Sequence, residues 1–165
     1  MVTAYLGVGS NLGNRLAFLR GGRDSLVSRF EITLRRASGV YETEAVGGPA
    51  DNPPFLNAVL EVETSLSPRE LLAACLAVED EFGRTRPMEW APRTLDIDLL
   101  LYGEALVDEA DLQIPHPRLH ERAFVLAPLR EIAPDLMHPC LHKTIAALAD
   151  DLAASPAVVL LRPTW

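Results

Sequence analysis

Apolar and polar residues alternate over Val2–Val8, which puts Val2, Ala4, Leu6 and Val8 on one face of a buried strand. Gly7-Val-Gly9-Ser-Asn-Leu-Gly13 follows and reads as a tight strand-to-helix turn. A dinucleotide fingerprint would need glycine where Leu12 stands, and no Gly-Lys-Ser/Thr of a phosphate loop follows. Asn14 is placed to cap a helix reaching about Phe30, with Leu16, Leu19, Arg23, Leu26 and Phe30 at helical spacing. Gly21 and Gly22 each weaken that helix by roughly 1 kcal/mol relative to alanine. Ile32–Thr43 reads as a second strand. Residues 44–54, rich in glycine and proline, read as a long irregular loop of the kind that is usually functional. Phe55–Glu63 reads as a third strand, with Phe55, Asn57 and Val59 on one face and Leu56, Ala58, Leu60 and Val62 on the other.

Ser67-Pro68-Arg69-Glu70 predicts a helix start: a serine cap, proline at the first helical position and glutamate at the third. Leu71, Leu72, Cys75, Val78 and Phe82 form its buried stripe, and Gly83 suits the C-terminal cap. Glu79 falls near the negative end of the helix dipole, so it requires a cationic or hydrogen-bonded partner. Beyond the next strand, Gly103-Glu104 is expected to close a hairpin to Ala105–Val107, and Ile114–Arg118 to run extended between prolines. A helix is expected from Leu119, with Pro128 close behind Leu126. His138 and His142 stand four apart, but Pro139 breaks the regular helix that a zinc pair would need, and they read as surface histidines. Thr144–Leu152 reads as a helix and Val158–Leu161 as a last short strand.

The chemistry concentrates in Trp90–Tyr102, W-A-P-R-T-L-D-I-D-L-L-L-Y, a loop running into a strand. Leu95, Ile97, Leu99 and Leu101 share one face; Thr94, Asp96, Asp98, Leu100 and Tyr102 share the other. Two like charges side by side on an apolar strand need positive compensation, and oxygen-only ligation points to Mg²⁺. Such a pair by itself more often marks a wet strand face, its aspartates solvated or bound to arginines. Arg84, Arg86 and Arg93, gathered upstream in an acidic chain, suit phosphate oxygens and shift the balance toward a metal–phosphate site. Phe55 with Asn57 could take a flat heterocycle by stacking and paired hydrogen bonds, although by itself the pair is better explained by Phe55 in the core and Asn57 satisfying a loop.

Composition narrows the classes further. The 165 residues fit one domain, 1–165, and 48% hydrophobic with 23% charged residues is globular. A net charge of −8 argues against a nucleic-acid partner, and no apolar run reaches membrane-span length. Cys75 and Cys140 form no disulfide framework, and Cys75 reads as a buried thiol in a reducing compartment.

Taken together in order, G-S-N-L at 9–12, F-L-N-A at 55–58, G-R-T-R at 83–86, P-R-T-L-D-I-D-L-L at 92–100, P-H-P-R at 115–118 and R-A-F-V-L-A-P-L at 122–129 resemble the 6-hydroxymethyl-7,8-dihydropterin pyrophosphokinases of folate biosynthesis. The resemblance covers nearly the whole chain. It implies an α+β, ferredoxin-like fold, a mostly antiparallel sheet flanked by helices in three α-β-α layers. It implies transfer of pyrophosphate from ATP to the pterin hydroxymethyl group, leaving AMP. By position, Asp96 and Asp98 resemble the ligands of two Mg²⁺ ions, and Arg84 and Arg93 join them as catalytic residues. Thr43, Val46, Phe55, Asn57, Trp90 and Phe124 match pterin contacts; Glu79, Arg84, Arg86, Arg93, Leu99, His116 and Arg122 match ATP contacts. The 44–54 and 84–93 loops match segments that close over the site. Leu76 stands where the family often has glutamine, Phe55 where it has tyrosine, and the 86–90 loop is one residue shorter, with Glu89 in it. A monomeric, stand-alone, cytoplasmic enzyme is expected. A ligand-binding module without turnover and a Mg²⁺-dependent phosphohydrolase are the rivals from other classes.

Overall fold

The computed structural model describes residues 1–44, 53–83, 94–152 and 158–165. Its centre is β4 (Phe55–Thr64), which pairs antiparallel with β1 (Val2–Ser10) on one side. On the other side it pairs with β2 (Ile32–Ala37) and β3 (Val40–Thr43). β5 (Asp96–Tyr102) flanks β1, and β8 (Val158–Arg162) flanks β3, so every pairing in the six-stranded sheet is antiparallel.

Two helices cover one face. α1 (Arg15–Val27) starts where the Asn14 side chain accepts from the Ala17 N–H, and α2 (Pro68–Glu81) carries the complete Ser67/Glu70 capping box. Leu19, Leu26, Leu71, Cys75 and Val78 pack there on Ala4, Leu6, Val8, Leu56, Leu60 and Ile97. α3 (Ala123–Ile132) and α4 (Ile145–Asp151) cover the opposite face, on Tyr5, Val59, Leu100 and Leu101. The result is the expected α+β, ferredoxin-like arrangement in three layers.

The structure departs from the pattern-based expectations at five places and gives the two helix glycines a packing reason. Gly7–Ser10 belongs to β1 rather than to a turn. α1 ends at Val27, leaving Phe30 91% exposed. Gly21 and Gly22 serve close packing: a Cβ on Gly21 would lie 2.5 Å from the Phe82 ring, and one on Gly22 2.8 Å from Leu95. The 32–43 strand is interrupted at Ser38-Gly39, where Trp165 Nε1 donates to the Ser38 carbonyl and the Gly39 N–H donates to Glu131. Gly103 turns with φ +51, but β6 (Val107–Glu109) pairs with β7 (Leu112–Ile114), not with β5. Residues Leu119–Glu121 form a 3-10 turn, and α3 begins only at Ala123 and runs through Pro128, which is buried within it.

Two smaller corrections concern side-chain placement. The register of β5 on β1 slips between Tyr5 and Leu6, so Leu100 is an extra residue. Such a bulge reverses the alternation beyond it: Leu101 packs under α3, while Tyr102 packs with the α1/α2 core and its hydroxyl donates to the Leu66 carbonyl. His138 is 4% exposed rather than on the surface, because its Nδ1 accepts the Cys140 and Leu141 N–H groups and its ring lies edge-on to His120. His142 turns the chain with φ +54.

Candidate active site

The end of β1 organises the site. In the sheet register Gly9 lies between Asn57 on β4 and Asp96 on β5, and Gly7 lies between Val59 and Asp98. Cross-strand partners share a face, so Asn57, Asp96 and Asp98 surround two positions that carry no side chain. A Cβ at Gly9 would come within 3.0 Å of Asn57 Oδ1 and 3.8 Å of the Phe55 ring. Tyr5, two residues before Gly7, packs with α3, so this bare floor opens on the α3 side. The glycines were the functional residues hardest to see in the sequence. Their trace was there: both occupy the face of the Val2–Val8 alternation opposite its apolar residues.

One wall is polar and aromatic. Asn57 and Thr43 are buried, and Asn57 Nδ2 donates to Thr43 Oγ1 at 3.1 Å. Phe55 shares their face of β4 by alternation, opposite Thr43 on β3. Phe124 stands in the first turn of α3, packed at the edge of the α3 core, with the Arg122 guanidinium 5.6 Å from its ring centre. Arg122 Nη1 is 3.8 Å from Asp98 Oδ2, so one cation links the aspartate strand to the aromatic helix.

The outer edge of β5 forms the other wall. A cavity of about 380 Å³ runs between α2, through Leu72, Leu76 and Glu79, and the β6–β7 hairpin, through Ala110–Gln113. Asp96, Asp98, Leu99 and His116 line it as well. Glu79 is 2% exposed, and its carboxylate accepts the Ile97 N–H at 2.7 Å. That is the hydrogen-bonded partner its place on α2 required, and it caps the outer edge of β5 between the two aspartates. His116 is tied in through its own N–H, which donates to the carbonyl of the bulged Leu100 at 2.9 Å. Burial, aided by the Arg122 and Arg118 charges, lowers the His116 pKa to about 4, against a smaller opposing effect of Asp96. The ring is therefore neutral near pH 7. Its Nδ1 accepts the Arg118 N–H, which leaves the proton on Nε2 as a donor.

Of the expected site residues, the fold brings Asp96, Asp98, Glu79, Leu99, His116 and Arg122 around the β5 edge. Thr43, Phe55, Asn57 and Phe124 lie on the α3 side. Val46, Arg84, Arg86, Trp90 and Arg93 lie outside the described residues. No group of three or more His, Cys, Asp or Glu side chains forms a metal cage among the described residues, so the aspartate pair would need oxygens from elsewhere to complete a coordination shell.

A family model described as 7,8-dihydro-6-hydroxymethylpterin-pyrophosphokinase (HPPK) matches residues 5–134. The chain belongs to this family. Similar relatives include the 2-amino-4-hydroxy-6-hydroxymethyldihydropteridine pyrophosphokinase of Bacillus subtilis (strain 168), 45% identical over 129 residues, which are 78% of this chain and 77% of the relative. The enzyme of that name from Aquifex aeolicus (strain VF5) is 38% identical over 162 residues, 98% of this chain and 99% of the relative. Among solved structures, Plasmodium falciparum HPPK-DHPS with pteroate superposes with a TM-score of 0.71 at 14% identity. The match covers 90% of this chain but only 44% of that longer chain, and at that identity it speaks for the fold alone. HPPK enzymes use ATP as co-substrate and catalyse pyrophosphoryl transfer to hydroxymethyldihydropterin in folate biosynthesis. In this HPPK chain, the P-R-T-L-D-I-D segment ends on the strand that carries both aspartates, and F-L-N-A supplies the facing wall.

Proposed function

We propose that this chain transfers pyrophosphate from ATP to the hydroxymethyl oxygen of 6-hydroxymethyl-7,8-dihydropterin, giving AMP and the pterin diphosphate. The observation that carries the residue assignment is the glycine floor, which sets a carboxamide on one side and two carboxylates on the other. The pterin lies against Phe55, Asn57 and Thr43, with Phe124 stacking from α3. Asn57 already spends one N–H on Thr43, so its carbonyl oxygen and remaining N–H serve the heterocycle edge. The nucleotide occupies the β5-edge cavity, its base against Leu72, Leu76 and Leu99.

Asp96 and Asp98 suit Mg²⁺: hard oxygen donors on one strand face, beside a cavity that admits phosphate oxygens and water. Held by Asp96 and Asp98, the expected two Mg²⁺ ions would supply neutralisation of the charge that develops on the phosphates. The chain's own groups do the rest. Neutral His116 donates from Nε2 to a nucleotide oxygen without adding charge, and Arg122 offers a guanidinium to the transferred group. Arg84, Arg86 and Arg93 are assigned to phosphate contacts, and Val46 and Trp90 to the pterin, on the family resemblance. Glu79 holds the β5 edge at Ile97, which keeps the aspartates in register with Gly7 and Gly9. The finer expectations of a monomer and a cytoplasmic location go with this assignment; no helix among the described residues is long and apolar enough to cross a membrane.

Product analysis tests the proposal. Purified protein is mixed with ATP, Mg²⁺ and the pterin, and nucleotides and pterins are resolved by chromatography. AMP forming in step with a pterin diphosphate, and only with pterin and metal both present, is the expected result. ADP or free phosphate without pterin modification would instead identify a hydrolase or an ordinary kinase, and pterin binding without turnover a binding module.

A further inference from the structure

The nucleotide cavity has two walls that are far apart in sequence, α2 and the β6–β7 hairpin, and one side chain joins them. Arg69, in the first turn of α2, donates through Nη1 to Asp111 Oδ2 at 2.8 Å and through Nη2 to Glu109 Oε2 at 2.9 Å. Leu112 and Ile114 anchor the second hairpin strand in the core. The turn before them is exposed, and Asp111 itself lines the cavity. Among the described residues, these two bonds are the hydrogen-bonded link between α2 and the hairpin. Charge adds a second consequence. Glu79, Asp96, Asp98 and Asp111 line the cavity, and Glu109 stands beside them. Among the described residues, the charged side chains lining this cavity are mostly carboxylates, and Arg69 offsets Asp111 together with its neighbour Glu109.

We propose that Arg69 is a positioning residue for the nucleotide: it holds the hairpin wall against α2 and offsets the Glu109/Asp111 charge, setting ATP affinity without touching ATP. This rests on the nucleotide occupying the β5-edge cavity, as proposed above. Solvent screens an exposed ion pair, so the effect is modest. It is also selective, because the pterin wall belongs to other elements.

The test measures binding of α,β-methylene-ATP with Mg²⁺ by calorimetry, together with KM for each substrate. Arg69→Ala is expected to raise the analogue Kd and the ATP KM about threefold to tenfold, with kcat and pterin KM within about twofold of wild type. The charge-exchanged double variant Arg69→Glu/Asp111→Arg recovers most of the loss, and added salt narrows the gap between wild type and Arg69→Ala. An unchanged ATP Kd in Arg69→Ala, or an equal rise in both KM values, overturns the proposal. Leu76→Trp, which fills the cavity, separates the two levels. If it leaves analogue binding intact, the nucleotide lies elsewhere and the role of Arg69 falls with the cavity. If it blocks binding while Arg69→Ala does not, the cavity stands and the clamp alone is refuted.

Discussion

Gly9→Ala adds one methyl group to the floor of the site. Gly9 has an ordinary φ, so the backbone accepts alanine, and the lost glycine freedom favours the folded state by about 0.5–1 kcal/mol. Against this, the new Cβ would sit 3.0 Å from Asn57 Oδ1, so the carboxamide must yield by a few tenths of an ångström. Asn57 is 7% exposed and bonded to Thr43 at 3.1 Å, and losing that bond costs about 0.5–1.5 kcal/mol. These terms nearly cancel, so the unfolding free energy should stay within about 1 kcal/mol of wild type. Activity has no such compensation. A displaced carboxamide and a methyl in the floor should lower kcat/KM for the pterin roughly tenfold to a hundredfold, with the ATP KM little changed. Gly7→Ala is the internal control, since its Cβ would meet Leu100 side-chain atoms at 3.5–3.7 Å, ordinary contact distances. Steady-state kinetics with each substrate varied, alongside urea unfolding, read both effects. Wild-type kcat/KM for the pterin in Gly9→Ala would refute the floor at Gly9, and equal damage from Gly7→Ala, whose Cβ crowds nothing, would show that displacing Asn57 is not the cause.

Asp96→Ala and Asp98→Ala should each lower turnover by roughly a thousandfold or more while circular dichroism stays native; wild-type-like turnover in either would remove the metal assignment. Phe124→Ala should weaken pterin binding more than ATP binding in calorimetry, and the reverse ranking would count against stacking. Gly21→Ala gains about 1 kcal/mol of helix propensity but forces Phe82 aside at a cost of about 1–3 kcal/mol, so its urea midpoint should fall; a raised midpoint would show that α1 and α2 have room to spare. His138 concerns pH. Burial, then the neighbouring His120 and His142, lowers its folded pKa below 6.5. The unfolded chain therefore takes up the proton first, so the His138 contribution is intact above pH 6.5 and declines as pH falls toward the folded value. His138→Asn keeps an acceptor for the Cys140 and Leu141 N–H groups and should flatten the acid limb of the Tm–pH curve, whereas an unchanged slope would exclude His138 as its source.

Much of the site was readable before the fold. The D-x-D spacing put Asp96 and Asp98 on one strand face, and the position of Glu79 on α2 announced the need that the Ile97 N–H meets. Other assignments missed because the deciding partner is remote. His138 looked exposed beside Pro139, yet a turn folding back on its Nδ1 buries it. Leu101 looked like a partner of Leu99, yet the one-residue slip at Leu100 sends it to the opposite face. That same bulge supplies the carbonyl that holds His116 at the cavity.

Local pattern was enough for the helix starts at Asn14, Ser67 and Thr144 and for the faces of β1 and β4. A cap closes within three residues, and a strand face repeats every two, so neighbours along the chain carry that information. Register is a different matter. Nothing near Gly9 in the sequence says that Asn57 and Asp96 will flank it. Those choices fall to whichever pairing buries both apolar faces of the sheet at once, and that sum includes residues from every part of the chain.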